Sequence, residues 1–132
     1  MFDQFKAMGA VADLLRNKDK MEASAKRVRE RLEHTEVVGE AGGGSVRVTV
    51  RGTLWVVQTE IAPALAQGLN AGEESEREMA QQLISDATND GLMKAQLAAR
   101  KIIEEEAAAL GFPGLLSKLD GPLAGLLPGG NA

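Results

Sequence analysis

The spacing of apolar residues along the chain changes from that of a helix to that of a strand and back again. This change limits the possible folds more than any other feature of the sequence. From Val46 to Arg51, each valine alternates with Arg or Thr, which is the two-residue repeat of a strand with one buried face. The glycines at 42–44 are typical of a hairpin turn, and Gly52 favours a second tight turn. Pro63 ends the last strand because proline cannot continue a ladder. We therefore predict three antiparallel strands, over 36–40, 46–50 and 54–61.

Two helical segments flank these strands. Residues 3–35 have no proline and a single glycine, and we predict one long helix there, with an apolar seam formed by Leu14, Met21, Ala25, Val28 and Leu32. The helical period returns over 73–110, with a stripe formed by Ile84, Ala87, Gly91, Ala98 and Ile102. Small residues in this segment allow another backbone to approach closely. The pattern predicts an α+β fold: a long helix, a three-stranded antiparallel meander and a second long helix. It leaves open whether the seam contacts the second helix or a second subunit.

Length and composition set the domain organisation and exclude several classes of protein. A chain of 132 residues fits one domain, which we place at 1–111. Residues 112–132 mix Gly and Pro with leucine pairs, and we predict a mobile tail there. The absence of cysteine excludes a disulfide framework, a thiol nucleophile and a thiolate metal site. No apolar run of about 18 residues and no secretory signal pattern is present, so we expect a cytoplasmic protein without a membrane partner.

The sequence contains no set of catalytic groups at a recognisable spacing. The run 42–45 joins two strands and lacks a following Gly-Lys-Ser/Thr, so it predicts a turn and not a phosphate cradle. His34 is the only histidine, and its place near the end of the first helix favours a capping or surface role. The carboxylates at 73–78 and 104–106 have no His or Cys to complete a metal site. We expect no enzyme, no cofactor, no metal and no small-molecule substrate, and we expect Trp55 to pack on the sheet.

Acidic and basic side chains are unevenly distributed along the chain. The net charge is −4, yet residues 1–36 carry eight basic and seven acidic groups, while residues 63–132 carry five and ten. On a helical wheel, four basic residues of the first helix fall in one narrow strip, here called the basic band: Arg16, Lys20, Arg27 and Arg31. Neither Lys20 nor Arg31 has an acidic residue three or four positions away. Such a band fits contact with a phosphate backbone, although spacing alone favours an ordinary solvated helix flank.

Three stretches of the chain carry a family resemblance. They are residues 38–52 (Val-Gly-Glu-Ala-Gly-Gly-Gly-Ser-Val-Arg-Val-Thr-Val-Arg-Gly), residues 60–65 (Glu-Ile-Ala-Pro-Ala-Leu) and residues 87–90 (Ala-Thr-Asn-Asp). Together they resemble the YbaB/EbfC family of bacterial nucleoid-associated proteins, whose signature includes a Gly-rich hairpin and a later Ala-x-Asn-Asp pattern. Two features depart from the family. The loop expected at 66–72 lacks the usual acidic residues, and the Leu/Gly/Pro tail is unlike a strongly basic DNA-gripping extension, so we assign the tail no DNA role. Within the Ala-x-Asn-Asp stretch, Gly91 also stands where alanine is commoner.

The resemblance implies a homodimer with projecting helical arms that binds duplex DNA with low sequence specificity, organises the chromosome in the nucleoid and influences gene expression. Family members bind DNA through basic residues of the arms, which carries this role to Arg16, Lys20, Arg27 and Arg31. We then expect the acidic second helix and the tail to face away from DNA. The alternative is a helical-arm protein-interaction or chaperone-like module without DNA binding, in which the leucines of the tail hold a partner.

Overall fold

The helix–meander–helix order predicted from the sequence is confirmed. The structure is a computed structural model that describes residues 2–114, with side chains described for Ala12 and from Leu15 onward. The three strands form one antiparallel sheet in the order β1-β2-β3. The predicted tail lies outside the described residues from 115 to 132, so its boundary with the domain stays a prediction. In chain order the elements are α1 (Phe2–Glu33), β1 (Glu36–Ala41), β2 (Val46–Arg51), β3 (Val56–Ile61), α2 (Pro63–Ala71) and α3 (Glu74–Ala109).

The short helix α2 occupies the segment that was expected to be a loop. It begins at Pro63, where a proline at the first helical position has no hydrogen bond to lose and already has a helical φ. Its cap residue Ala62 provides no side-chain hydrogen bond, and its first turn contains no acidic residue. These two start signals are the ones by which a helix is usually recognised. Their absence explains why the sequence pattern did not reveal α2.

The core lies between the sheet and α3. Val46, Val48 and Val50 of β2 have no exposed surface, as the alternation predicted, and they pack against Ala87 and Ala95 of α3. Helix α3 lies mainly on β1 and β2. Of the predicted α3 stripe, three residues are buried and two are half-buried; the buried ones are Ala87, Gly91 and Ile102.

The closest backbone approach in the core joins Gly39 of β1 to Gly91 of α3. A β-carbon built on Gly39 would lie 2.5 Å from Gly91 Cα and would overlap the Gly91 nitrogen and the Ala87 carbonyl oxygen. A β-carbon on Gly91 would lie 2.8 Å from Val50 Cγ2. Both positions therefore require glycine for packing, and this contact gives the physical reason for the glycine at 91.

Polar side chains of α3 hold the outer edge of β1. Asp90 Oδ2 accepts a hydrogen bond from the Glu40 backbone N–H at 2.9 Å, and Lys94 Nζ donates to the Val38 carbonyl at 3.1 Å. Lys94 Nζ also lies 3.0 Å from Asp90 Oδ2. The hydrogen bond from Glu40, followed by the one from Lys94, lowers the pKa of Asp90 below its usual value. The Ala-x-Asn-Asp motif thus has a structural role here, because its aspartate binds the helix to the sheet edge.

Within the described residues, the predicted α1 seam is exposed at Met21 and Ala25 and half-buried at Val28 and Leu32. Met21 is 57% exposed and Ala25 is exposed, whereas Ser24, which was not assigned to the seam, is 4% exposed. The side chain of Leu14 lies outside the described set. Helix α1 contacts α3 through the face centred on Ser24, one position away from the seam. The α1–α3 contact within one chain is therefore made by this neighbouring face, and the question of what the exposed part of the seam contacts stays open.

We predict that Gly39→Ala destabilises the protein by more than about 2 kcal/mol, because its methyl group clashes with backbone atoms that move only with the whole helix. Urea unfolding curves measure this change. The matched control is Gly68→Ala in α2, where a β-carbon meets nothing within 4 Å. Alanine there should raise stability by about 0.5–1 kcal/mol, since glycine is unfavourable inside a helix. A neutral Gly39→Ala would contradict the close-approach explanation.

Candidate nucleic-acid interface

The four residues of the basic band lie on one unbroken helix. Arg16, Lys20, Arg27 and Arg31 are all exposed on α1, which continues from Phe2 to Glu33 without a proline. A helix rises about 1.5 Å per residue, so the band extends over about 22 Å. The geometry is that of a straight cationic strip, as expected from the spacing.

The tertiary structure pairs the C-terminal half of the band with carboxylates of α3. Arg27 Nε lies 3.2 Å from Glu106 Oε2, and Arg31 Nη1 lies 3.5 Å from Glu106 Oε1. Arg31 Nη2 lies 2.6 Å from Glu105 Oε2. The Glu106 side chain is only 13% exposed and also accepts a hydrogen bond from Ser24 Oγ at 3.4 Å. Ser24 and Glu106 thus form the centre of the α1–α3 contact, with the two arginines beside it.

These contacts overturn two expectations from the sequence. Arg31 has no acidic neighbour along its own helix, but it is paired across space with Glu105 and Glu106. The acidic second helix does not face away from the basic band at its C-terminal end, where both glutamates touch the band. Helical spacing reports only neighbours on the same helix, so it could not reveal carboxylates that are more than 70 residues away in sequence.

The close pair shifts the titration of both partners. The hydrogen bond with Glu105 is the main cause that raises the pKa of Arg31. The same hydrogen bond lowers the pKa of the Glu105 carboxyl. Because about half of each side chain is exposed, water and salt screen this attraction. The guanidinium of Arg31 therefore still exposes N–H donors to solvent, although the carboxylates of Glu105 and Glu106 balance part of its positive charge.

The N-terminal half of the band differs from the C-terminal half. No carboxylate among the described side chains lies within 4.0 Å of the charged groups of Arg16 or Lys20. The side chain of Asp13, one turn before Arg16, is not among those described. Lys18, on another face of α1, is paired with Glu22 at 3.9 Å. Among the described side chains, the band therefore has an open half at Arg16 and Lys20 and a paired half at Arg27 and Arg31.

Two other sequence assignments are confirmed. His34 follows the last residue of α1, and its Nδ1 donates to the Glu30 carbonyl at 2.7 Å, which is a capping contact. Ser45 Oγ donates to the Gly42 carbonyl at 2.7 Å inside the β1–β2 turn. The glycines of this turn adopt positive φ, including 90° at Gly44, as a tight hairpin connection requires. The histidine and the Gly-rich run are therefore structural.

Strand β3 and the turn before it expose apolar side chains, a feature that the sequence analysis missed. Trp55 is 67% exposed, so the expectation that it packs on the sheet is wrong for the described chain. Ile61 pairs with Val46 and Val56 pairs with Val50, so both share the sheet face of the buried β2 valines, and a bulge leaves Val57 unpaired beside Val56. Helix α3 lies over β1 and β2 and leaves Val56, Val57 and Ile61 39%, 42% and 36% exposed. Leu54 is 42% exposed and has a φ of 65°, a conformation that costs a non-glycine residue about 1–2 kcal/mol. The sequence did contain a signal for this surface, because apolar residues alternate with polar ones along β3. Such alternation predicts that another element or chain covers one face of the strand.

The described part of the chain shows neither a cluster of metal ligands nor a membrane-spanning helix. Across positions 2–114, no three His, Asp or Glu side chains come together in a way that would hold a metal ion. None of the helices in that range combines the length and apolarity needed to cross a bilayer.

The fold and the band define a class: a small α+β protein in which a three-stranded meander carries two long helices, the first with a cationic strip. Comparison of the sequence with known protein families identifies the family. The chain belongs to the YbaB/EbfC DNA-binding family, whose sequence profile matches residues 8–110.

Individual relatives agree with this assignment. A nucleoid-associated protein of Acinetobacter baumannii is 36% identical over 93 residues, which cover 70% of this chain and 79% of the relative. A nucleoid-associated protein of Synechococcus elongatus is 34% identical over 108 residues, covering 82% and 89%. The crystal structure of an uncharacterized protein from Helicobacter pylori aligns with a TM-score of 0.51 at 22% identity and covers 64% of this chain and 92% of that one. This last similarity concerns the fold alone.

We predict that Glu105→Gln lowers stability at neutral pH and that the deficit narrows as the pH falls below about 4.5. The reason is that the pKa of Glu105 is lower in the folded protein than its unfolded value of 4.5. Its contribution is then present above that value and disappears as the folded carboxyl becomes protonated. Urea unfolding at several pH values measures the deficit. Glu78→Gln, at an exposed position of α3, is the control, and an equal deficit for Glu105→Gln at all pH values would refute the ion-pair explanation.

Proposed function

We propose that two copies of this chain form a homodimer that binds duplex DNA through the phosphate backbone with little base readout. The observation that carries the proposal is the open half of the basic band, Arg16 and Lys20, on an exposed helix of a chain from a DNA-binding family. Its relatives are named nucleoid-associated proteins, which supports a place in the nucleoid, a role in organising the chromosome and an influence on gene expression.

A straight cationic strip suits phosphates better than bases. Phosphates along one DNA strand rise about 3.4 Å each, so a band of about 22 Å can follow several of them. Contacts of Arg and Lys with phosphates position a protein without reading sequence. No aromatic residue lies in the band, so stacking on bases is not part of the proposal. Low sequence specificity follows from this chemistry.

The paired half of the band contributes less to the binding of DNA phosphates than its positive charge suggests. Arg27 and Arg31 are shared with Glu105 and Glu106, so a phosphate that approaches them competes with two carboxylates. Displacement of Glu106 would also leave a mostly buried carboxylate without its cationic partners, which is costly. We therefore assign the main phosphate contacts to Arg16 and Lys20 and a secondary role to the arginine pair.

The exposed apolar surface of β3 supports the dimer. Val56 and Ile61 continue the α3-covered face of the sheet beyond the helix, with Val57 at the bulge and Trp55 at the turn beside them. Exposed apolar surfaces of this kind mark sites of association. The unfavourable φ of Leu54 is explained if its side chain is needed in the same contact. A second copy on this surface gives the molecule two basic bands.

We predict a steep salt dependence that Arg16→Gln with Lys20→Gln reduces. If the dimer neutralises about six phosphates, affinity for random duplex falls about a thousandfold between about 50 and 200 mM salt. The double variant removes up to four of these contacts per dimer, so the slope of log affinity against log salt should change from about −5 to about −2. Mobility-shift titrations at several salt concentrations measure both values.

The control for this experiment is Lys18→Gln, which removes a cation from α1 outside the band. It should leave the slope unchanged. Charge reversal at Arg31 is a poor test, because a carboxylate there would face Glu105 and Glu106 and disturb the α1–α3 contact. A complex insensitive to salt, or equal losses from Lys18→Gln and the double variant, would sink the proposed interface.

We predict that Val57→Glu converts the dimer into a folded monomer, since a buried interface does not tolerate an unpaired carboxylate. Val57 is already 42% exposed in the single chain, so the protomer should keep its fold. Light scattering gives the mass and circular dichroism the helix content. Gln81→Glu adds the same charge to an exposed position of α3 and should leave the mass unchanged. A Val57→Glu protein that remains a dimer would show that β3 is not the interface.

A further inference from the structure

A groove lies between α1 and the C-terminal end of α3, next to the basic band. It measures about 510 Å³ and is bounded by Lys20, Met21 and Arg27 on one side and by Leu110 and Phe112 on the other. Met21 and Phe112 are 57% and 55% exposed, which is high for two large apolar side chains that line the same groove.

The apolar surface continues from this groove along α1. A second, more open groove, lined almost entirely by apolar atoms, includes Leu15, Met21 and Ala25. Met21 belongs to both grooves, so they form one continuous surface on the uncovered part of the predicted seam. Leu15 is 58% exposed. From Met21 to Leu15 this surface follows α1 for about 9 Å.

Helix α3 ends in a turn beside the groove. The Phe112 N–H donates to the Ala107 carbonyl at 2.9 Å, and the Gly111 N–H donates to the Ala108 carbonyl at 3.0 Å. With a φ of 93° at Gly111, these bonds form the Schellman motif, which reverses the chain at a helix end. As a result Phe112 lies on the groove wall, and the chain continues from there.

The segment that follows has the composition to cover this surface. Residues 115–132 comprise 18 residues with six leucines and only two charges, Lys118 and Asp120, of opposite sign. The leucines are Leu115, Leu116, Leu119, Leu123, Leu126 and Leu127. An extended chain spans up to about 3.3 Å per residue, so the first few residues already reach from Phe112 past Met21. The connection also gives the segment an effective concentration near the millimolar range, higher than a separate partner would have.

We propose that the leucine-rich segment 115–132 docks on this surface of α1 in the same chain, starting at Phe112 and covering Met21. The docked segment lies against the groove wall that contains Lys20 and Arg27. It therefore covers part of the basic band, a consequence that rests on the proposed DNA binding. The β3 surface assigned to the dimer is at the other end of α1, where Gly52 contacts Thr35, so the two surfaces serve different contacts.

A single nitroxide label tests the docking in the full chain. Because the chain has no cysteine, Ser117→Cys gives one attachment site in the segment. The label should broaden the methyl resonance of Met21 and leave that of Met93 sharp. Met93 is equally exposed but lies 17 residues before Leu110, about 25 Å away along α3. Equal broadening of both methyl groups, or of neither, would refute the docking.

Two variations of the experiment separate the alternatives. In the first, chains that carry the nitroxide label but no isotope are mixed with isotope-containing chains that carry no label. Docking within one chain predicts no broadening of Met21 in this mixture. Broadening there would show that a second copy of the chain occupies the groove.

In the second, the docking is measured by comparing labelled chains, because the tether alone keeps the label near Phe112. Leu115→Ser with Leu116→Ser and Leu119→Ser should weaken the broadening of Met21 several-fold, whereas Lys118→Gln should not. Equal broadening of Met21 in the triple serine variant and in the native chain would contradict the docking. Loss of broadening with Lys118→Gln alone would contradict an apolar contact.

The effect on DNA has a separate readout. The triple serine variant, without label, should bind random duplex several-fold more tightly than the native chain, because it uncovers Lys20 and Arg27. If the label confirms docking and the affinity is unchanged, the covering of the band is wrong while the docking stands. If neither protein binds DNA at low salt, the proposed function fails and the label result remains the test of docking.

Discussion

The contact between Gly39 and Gly91 places the backbone of β1 directly on α3, and the positions of the other elements depend on it. At this distance Asp90 and Lys94 reach the edge of β1 and hold it by hydrogen bonds to the backbone. A helix is stiff over many turns, so fixing its middle also fixes its end. That end carries Glu106, and the close contact at one glycine pair therefore sets where α3 meets α1.

The electrostatics of the surface follow from this arrangement. A net charge of −4, taken alone, argues against binding to nucleic acid, and the separation of acidic and basic residues along the sequence is the first reason why DNA binding remains compatible with it. The structure adds a second, because part of the acidic excess is used inside the protomer. Glu105 and Glu106 hold Arg27 and Arg31 and join the two helices. Within the part of the chain whose side chains are described, the charges that remain open on the band are those nearer the N-terminus of α1.

Local patterns predicted most of the secondary structure because they reflect local physics. The alternation of valines with polar residues at 46–51 predicts a strand with one buried face, whichever element covers that face. In the same way, a proline-free amphipathic segment predicts a helix, whichever element it packs against. Helix α2 was missed since it lacks both usual start signals. The sequence left the partner of the α1 seam open because periodicity shows which residues share a face and not which face meets a neighbour. Ser24, a polar residue, is buried there by its contact with Glu106.

The sequence by itself determined the order of helices and strands, the Gly-rich hairpin, the family resemblance and the four cations on one strip of α1. These properties depend on residues that are neighbours in the chain. The tertiary structure alone decided which of the four cations are paired, why Gly91 is a glycine and which apolar surfaces on β3 and α1 stay open. Each of these depends on a distance between segments far apart in sequence, and such distances arise only when the backbones pack.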